Sequence, residues 1–254
     1  SILLHQGMPT IAGDNDPNDR FGSRTTFGDF NGDGLDDLVI TAPQKDVNGI
    51  EDAGMMWVLH GLPQGMGIIN SAKSFNLSMF IADDAISPED HWGEMIASGD
   101  FNGDGYDDIA ISSPNANTCD DDTDTLIEYL YGPSNQMCNK ENAGLIVILY
   151  GSKTGLDSNN YHVINQGTKG IPDANETNDN WGLSLVEGDF NGDQISDLAV
   201  GAPGEKYGFL ASSGAVTIIY GSDEGLNPKT SKRFHQNTHQ IPDRNEENDQ
   251  WGST

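Results

Sequence analysis

Basic residues are scarce in this sequence. Only 12 Lys and Arg stand against 40 Asp and Glu in 254 residues, which gives a formal net charge of −28. A surface of this sign repels phosphate groups and anionic lipids, so binding to nucleic acid, or to a membrane through a basic patch, is excluded. An excess of carboxylates instead suits cations, a salty medium, or both.

Long apolar runs are also missing. The longest run, Leu145 to Tyr150, has six residues, whereas a membrane helix needs roughly 20. We therefore expect no membrane insertion. The sequence opens at Ser1 without a basic region and an apolar stretch, and it stops partway through a motif at Trp251. We interpret it as a mature or excised piece of a longer chain.

Cysteines and catalytic motifs are scarce as well. Cys119 and Cys138 are the only cysteines, and they fit either one disulfide in an oxidising compartment or two idle thiols. The sequence has no nucleophile elbow and no phosphate-binding loop, and its six histidines lack metal-ligand spacing. The sequons at Asn76 and Asn175 are no more than chance provides, so glycosylation stays open. We expect a chain that is not an enzyme.

Glycine, in contrast, is abundant and recurs with a period. The 31 Gly indicate many turns and few long helices. The segment from Gly28 to Gly34 recurs from Gly99 to Gly105 and, with one change, from Gly188 to Gln194. An aromatic-Gly pair precedes each copy, and a short apolar run that ends in Pro follows it. The pairs are Phe21-Gly22, Trp92-Gly93 and Trp181-Gly182, with a fourth at Trp251-Gly252, and the prolines are Pro43, Pro114 and Pro203.

Each repeat holds four short runs rich in Val, Ile, Leu and Tyr, bounded by Gly, Asn, Asp and Pro. This pattern indicates four strands and no long helix. In the third repeat the strands lie near 183–188, 197–202 and 214–220, and the fourth corresponds to 161–166 of the second repeat. Four strands per repeat predict an all-β fold, a β-propeller of four-stranded blades.

The whole chain, 1–254, is predicted to be one propeller segment. Residues 1–20 hold the last strand of a preceding blade, at 2–6, and a connection. The repeats span 21–91, 92–180 and 181–250, and 251–254 begin the next one. The second repeat carries an insertion, 115–142, that contains both cysteines. Three blades are too few for a ring of roughly 4 to 8, so we expect further blades from the same or another chain.

The repeated loops carry oxygen-bearing side chains at alternating positions. Positions 1, 3, 5 and 9 are Asp or Asn, and the carbonyl of position 7 is free to point inward. Hard oxygen donors in a tight loop are what Ca²⁺ requires. The predicted ligands of three calcium sites are Asp29, Asn31, Asp33, the Leu35 carbonyl and Asp37; Asp100, Asn102, Asp104, the Tyr106 carbonyl and Asp108; and Asp189, Asn191, Asp193, the Ile195 carbonyl and Asp197.

These loops are not EF-hands, because position 12 holds Ile40, Ile111 or Val200 inside an apolar strand. Asn, Asp and Gly also make hairpin turns for purely local reasons. Three carboxylates within nine residues, however, repel one another unless a cation lies among them. Gln194 sets the third loop apart, since it replaces a glycine whose permissive backbone helps the sharp turn.

The order of these motifs resembles the FG-GAP repeats of integrin α-subunit propellers and of their bacterial and protist relatives. The resemblance covers nearly the whole chain. The departures are Thr41-Ala42-Pro43 and Ser112-Ser113-Pro114 in place of Gly-Ala-Pro, Gln194, and Trp for Phe in three pairs. The resemblance implies a seven-bladed propeller with calcium loops on one face, in a family whose partners often bind on the other.

The loops of an antiparallel blade alternate between the two faces of the disc. The loops from strand 2 to strand 3, and the connections from strand 4 to the next strand 1, therefore share the face opposite the calcium loops, here called the distal face. This face should carry the 115–142 insertion, with Tyr129 and Tyr131, as either a binding loop or decoration. It should also carry the acidic connections 14–19, 173–179 and 243–249, which could hold cations or a basic partner, although a solvated surface is the favoured interpretation.

We therefore expect a non-enzymatic, calcium-stabilised propeller segment, extracellular or at the cell surface, that mediates adhesion or ligand recognition. Its partner would be a protein or glycan bound at the distal face. Three alternatives stay open, because a fold does not choose a function. They are a glycan-binding lectin, the accessory propeller of a secreted hydrolase or lyase, and a structural repeat of a surface filament.

Overall fold

The computed structural model describes residues 3–9, 11, 13–63, 72–118 and 140–253. Within them the chain is almost entirely strand and turn, with two short 3₁₀ helices at Leu77–Met79 and Asp83–Ala85. The strands are β1 Thr25–Gly28, β2 Asp37–Ala42, β3 Met55–Leu59, β4 Lys73–Asn76, β5 Ile96–Gly99, β6 Asp108–Ser113, β7 Leu145–Leu149, β8 Tyr161–Ile164, β9 Ser184–Gly188, β10 Asp197–Ala202, β11 Ala215–Tyr220 and β12 Asn227–Phe234.

These strands form three antiparallel four-stranded sheets, each in sequence order: β1 to β4, β5 to β8 and β9 to β12. The first strands of neighbouring sheets contact each other, β1 with β5 and β5 with β9. Between β1 and β5, Thr26 Oγ1 and Ser98 Oγ lie 2.8 Å apart. Three sheets stacked with their first strands side by side are three blades of a propeller, so the predicted all-β blade architecture is confirmed.

Burial along the third strands follows the position of each blade. Every residue of β7, in the middle blade, is buried, because blades cover both of its faces. Burial in β11, in the third blade, alternates between buried and half-buried positions, because one of its faces packs on the middle blade. The continuous apolar run of β7 therefore reflects neighbours on both sides.

The cores lie between blades. One cluster joins the first and second blades around Trp92, and another joins the second and third around Trp181. Both indoles are fully buried. These tryptophans therefore pack between blades, and each blade depends on its neighbour for burial.

A glycine at the start of each third strand lets the next repeat dock. The backbone N–H of Trp92 donates to the Ala53 carbonyl at 3.1 Å, next to Gly54. A Cβ on Gly54 would lie 2.1 Å from the Trp92 carbonyl oxygen, and the Gly54 φ of +92° also favours glycine. Gly144 meets Trp181 in the same way, and Gly214 meets Trp251. The aromatic-Gly pair is thus the docking element of one blade on the previous one.

Residues 3–6, part of the strand predicted at 2–6, are not in a strand. A fourth strand pairs with a third strand, and in the part of the chain that the structure describes each third strand already pairs with the fourth strand of its own sheet. The segment makes a turn instead, with the Met8 N–H donating to the His5 carbonyl at 3.1 Å.

The long insertion leaves the second blade at a defined point. Thr118 and Lys140 exchange two backbone hydrogen bonds of 3.0 and 3.2 Å, as Val47 and Ile50 do in the first blade. The two-residue turn Asn48-Gly49 of the first blade is therefore replaced by residues 119–139 in the second. Cys119, Cys138, Tyr129 and Tyr131 lie in this segment, outside the described residues, so the disulfide stays a prediction.

Candidate metal centres

The first predicted loop is built by side chains that accept hydrogen bonds from the loop backbone. Asp29 accepts from the N–H groups of Asp33 at 3.0 Å and Gly34 at 2.8 Å. Asn31 Oδ1 accepts from Asp33 N–H at 2.9 Å, and Asp33 Oδ1 accepts from Leu35 N–H at 2.9 Å. Positions 1, 3 and 5 therefore turn their oxygens into the loop.

The other two loops repeat this scaffold. Asp100 accepts from three backbone N–H groups, those of Gly103, Asp104 and Gly105, at 2.6, 3.2 and 2.9 Å. Asp189 accepts from the matching N–H groups at 2.6, 3.2 and 3.0 Å. These bonds lower the pKa of Asp189, first through the Gln194 N–H, so this carboxylate is ionised and available to a cation.

Position 9 has a second role that the sequence pattern did not reveal. Asp108 is fully buried and accepts from the N–H groups of Phe101 at 2.9 Å and Gly151 at 2.8 Å. Asp197 makes the same two bonds, to Phe190 and Gly221, both at 2.8 Å. The aspartate therefore ties the loop to the end of the third strand of its own blade.

The electrostatics of the second loop favour a cation. Burial, and then the negative charges of Asp104 and Asp100, raise the pKa of Asp108 to about 8, against the opposing effect of the two N–H donors. Burial likewise raises the pKa values of Asp37 and Asp197. A divalent ion in the loop would reverse this effect, because it favours the ionised carboxylate.

The carboxylates at positions 1, 5 and 9 do not form a tight cluster in any loop. In none of the three, all within the described residues, do three carboxylate oxygens lie within 4.8 Å of one another. The first three side chains fit a hard cation by donor type and direction. The fifteen predicted ligands as a set remain a prediction.

The third loop contains backbone strain. Gln194 has a φ of +74°, where Gly34 and Gly105 have +83° and +87° in the other loops. The left-handed region costs a non-glycine residue about 1 kcal/mol. The loop still makes the same hydrogen bonds, so Gln194 does not change its shape.

Neighbouring loops stack on one another across the blade boundary. The Tyr106 ring lies against Gly32, where a Cβ would be 2.5 Å from Tyr106 Cε1. Asp107 Oδ2 accepts from the Asp29 N–H at 2.8 Å, and Asp107 N–H donates to the Asp29 carbonyl at 3.2 Å. Position 7, predicted only as a carbonyl ligand, therefore also contributes interblade packing through its side chain.

His60 is a further residue at the first loop that the search for metal-ligand spacing missed. Its Nδ1 lies 2.9 Å from Asp37 Oδ2 and 3.2 Å from Asn31 Nδ2. The other blades have Tyr150 and Tyr220 at this position. The deviation from tyrosine within the repeat is the signal that marks His60.

The distal face carries the loops that the alternation of an antiparallel blade predicts for it. Lys45, two residues after Pro43 in a 2-to-3 loop, contacts Asp16 and Asp19 of the acidic connection. Asn142, at the base of the insertion, donates Nδ2 to Asn178 Oδ1 of the acidic connection 173–179 at 3.0 Å. The acidic connections and the base of the insertion therefore share one surface, opposite the predicted metal loops.

The FG-GAP repeat profile matches residues 21–59, 92–125 and 181–219, and each match begins at an aromatic-Gly pair. Three segments of this chain are FG-GAP repeats. The motif resemblance is confirmed at the positions that carry it.

Proteins with sequences similar to this chain are of two kinds. Bovine phosphatidylinositol-glycan-specific phospholipase D is 27% identical over 83% of this chain and 22% of its own length. Integrin alpha pat-2 of Caenorhabditis briggsae is 26% identical over 85% of this chain and 15% of its own length. This chain thus spans about a fifth or less of the length of these relatives.

Solved structures similar to this chain include rhamnogalacturonan lyase YesW, with 13% identity and a TM-score of 0.46. The match covers 85% of this chain and 34% of the lyase. Rhamnogalacturonan lyase YesX has the same identity and TM-score, with coverage of 85% and 33%.

Among the described residues, no helix has the length and apolar character that a membrane crossing requires.

Proposed function

We propose that this chain is a calcium-stabilised, extracellular propeller segment that mediates adhesion or recognises a protein or glycan ligand through its distal face. The proposal includes no catalytic activity for the segment. The observation that carries it is the hydrogen bond between Asn142 of the insertion base and Asn178 of the acidic connection 173–179, on the face opposite the metal loops. Loops on a rigid scaffold are where binding residues concentrate.

An exposed aromatic supports the choice of this face. Phe209 is 106% exposed relative to an extended reference, and it occupies the turn of the third blade that corresponds to the insertion of the second. Large aromatic side chains dominate the binding energy of many interfaces. A ring held in solvent at that position suits contact with a partner.

Calcium stabilisation is tested by thermal unfolding in EGTA, in 1 mM Ca²⁺ and in 1 mM Mg²⁺ at matched ionic strength. A site with Kd near 10⁻⁴ M adds roughly 1.4 kcal/mol at this calcium level, so three sites should raise the Tm by several degrees. We expect a smaller shift for D33N, D104N and D193N. D36N removes a charge from the same first loop at a non-ligand position and should keep the full calcium shift. Equal shifts in all four variants, or a Tm indifferent to calcium, would contradict calcium binding by the loops.

Ligand recognition is tested by replacing residues 119–139 with Asn-Gly, the turn of the first blade. The probes are a printed glycan array and immobilised collagen, laminin and fibronectin. We expect binding to at least one probe by the parent chain and its loss in the replacement. The matched control is Lys153→Ala with Thr154→Ala on the metal-loop face, which should bind as the parent does. Unchanged binding after the replacement would place recognition elsewhere.

The phospholipase D relatives favour a second candidate, the accessory propeller of a secreted enzyme. In this case the segment would position a catalytic domain carried elsewhere in the same protein. The test is the full-length coding sequence together with an activity assay of its product. A catalytic domain beside the repeats supports this candidate, and a product built of further repeats alone contradicts it.

A further inference from the structure

The three blades carry different side chains at one repeated position of the distal face. The position lies two residues after the proline of each repeat and holds Lys45, Ala116 and Glu205 in turn. In the first and third blades it faces the connection that enters the same blade. This connection contains a buried aspartate two residues before the aromatic-Gly pair, namely Asp19, Asp90 or Asp179.

In the first blade a cation occupies this place. The Lys45 ammonium lies 2.7 Å from Asp16 Oδ2, 3.1 Å from Asp19 Oδ2 and 2.9 Å from the Asp14 carbonyl oxygen. Lys45 and Asp19 are both buried. The repeat therefore forms a pocket of oxygen ligands that accepts a positive charge.

In the third blade a carboxylate stands at the repeat position that the Lys45 ammonium has in the first blade. Glu176 and Asp179 occupy the positions of Asp16 and Asp19, and Glu205 occupies the position of Lys45. One carboxylate oxygen of each lies within 4.8 Å of the other two. No other group of three acidic, histidine or cysteine ligand atoms in the described part of the chain is this close. Asp179 is 0% exposed and Glu205 is 2% exposed.

Nearby cations neutralise this group only in part. Arg233 contacts Glu205 Oε1 at 3.0 Å and Asp173 Oδ2 at 2.8 Å. The positive charge of Lys206 also lowers the pKa of Asp179. Two positive charges thus face four carboxylates. Burial and the neighbouring negative charges raise the pKa of Asp179 to about 7 and that of Glu205 to about 8.

Two buried oxygens around the group have no hydrogen-bond donor among the described residues. Asp179 Oδ2 accepts from the Glu176 N–H at 2.9 Å, but its Oδ1 has no partner. Gln166 donates Nε2 to Glu205 Oε2 at 2.9 Å, which leaves its own Oε1 without a partner. An unpaired carboxylate oxygen that is fully buried costs free energy unless a ligand satisfies it.

We propose that Glu176, Asp179 and Glu205 bind a calcium ion on the distal face, in place of the ammonium that Lys45 supplies in the first blade. All the donors are oxygens, which is the preference of Ca²⁺. Calcium–oxygen distances of about 2.4 Å allow two ligands to be roughly 4.8 Å apart, so the observed spacing suits one ion. The second blade has Ala116 and Ser87 at the matching positions, so it has no ammonium there and keeps only Asp90 of the three carboxylates.

The test is a count of bound calcium by equilibrium dialysis with ⁴⁵Ca²⁺ at fixed ionic strength. We expect the double variant E176Q/E205Q to bind one ion fewer per chain than the parent. The matched control is E246Q/E247Q, which removes the same charge from the exposed connection 243–249 and should bind as the parent does. The result is a difference between variants, so it does not depend on whether the three loops bind calcium.

Equal calcium counts in the parent and E176Q/E205Q would overturn the proposal. So would the loss of one ion in E246Q/E247Q, because that would indicate nonspecific attraction to the acidic surface. Should the double variant fail to fold, E176Q alone changes only the partly exposed member of the group. Its expected effect is about tenfold weaker binding of one ion, since ligand charge tunes calcium affinity. An unchanged titration of E176Q would also overturn the proposal.

Discussion

At the scale of single residues, a buried aspartate in each repeat accepts a hydrogen bond from the backbone of the connection that enters the blade. Asp19, Asp90 and Asp179 stand at one repeat position, and the Oδ2 of each accepts from a backbone N–H three residues earlier. Their surroundings differ, because Asp19 accepts a hydrogen bond from the Lys45 ammonium, whereas Asp179 lies close to the carboxylates of Glu176 and Glu205. Residues that are equivalent in sequence therefore differ in electrostatic free energy.

Asp90 should make stability depend on pH. Burial raises its pKa from 3.8 to about 7. Between these values the folded chain holds a proton that the unfolded chain has released, so the free energy of unfolding falls as pH rises from about 4 to about 7. Asp90→Asn removes this loss, and its stability relative to the parent should increase by up to about 1.4 kcal/mol per pH unit in that range. Urea unfolding at several pH values measures the effect.

The control for this prediction is Asp19→Asn, whose carboxylate contacts Lys45 at 3.1 Å. Removing one partner of a buried ion pair is destabilising. Asp19→Asn should therefore lower stability at pH 7. A stability difference between Asp90→Asn and the parent that is independent of pH would contradict the role given to Asp90.

At the scale of elements, the blades are joined by close backbone contact as well as by apolar burial. The glycine that starts each third strand contacts the aromatic-Gly pair of the next repeat. No side chain fits between the two backbones. A short sequence motif, aromatic-Gly, therefore determines where one blade ends and the next begins.

Gly144→Ala should separate the second and third blades. Its Cβ would lie 2.1 Å from the Trp181 carbonyl oxygen, at a φ of +91°. We expect a loss of at least about 3 kcal/mol in the free energy of unfolding, because backbone must move and Trp181 packing is disturbed. Gly208→Ala is the matched control: its φ is +64° but no atom lies within 4 Å of the new Cβ. It should cost only about 1 kcal/mol, and equal losses in guanidinium unfolding would show that close approach is unimportant.

At the scale of the whole molecule, negative charge opposes compaction. The formal net charge is −28, and acidic groups lie on both faces of the blades. Lys45 and Arg233 reduce the repulsion locally by contacting two carboxylates each. Bound cations, at the loops or on the distal face, would act in the same direction.

The calcium-free chain should gain stability with salt. Raising ionic strength from 0.1 M to 1 M shortens the screening length from about 10 Å to about 3 Å, which weakens repulsion among surface carboxylates. We expect the Tm in EGTA to rise by several degrees, at about 2 to 4 °C per kcal/mol. Choline chloride at equal ionic strength controls for specific sodium binding. A falling or constant Tm by calorimetry would mean that self-repulsion is not a limiting term.

The sequence by itself determined the blades, because each rests on local chemistry. Apolar runs of strand length, bounded by Gly, Asn and Asp, placed β9 to β11 near their observed limits. Alternating oxygens likewise determined the three loops, since the Asp at positions 1 and 5 accepts from N–H groups within five residues. These hydrogen bonds are short-range, so spacing along the chain is enough to predict them.

Only the tertiary structure decided which distant residues meet. It placed position 9 of each loop at the end of the third strand, and Tyr106 against Gly32 of the neighbouring blade. It also brought Glu205 to Glu176 and Asp179. These contacts join residues about 25 to 75 positions apart. The sequence pattern does not predict which residues at such separations lie close together in space. Strand pairing within a blade brings position 9 to the third strand, and packing of one blade on the next brings Tyr106 to Gly32.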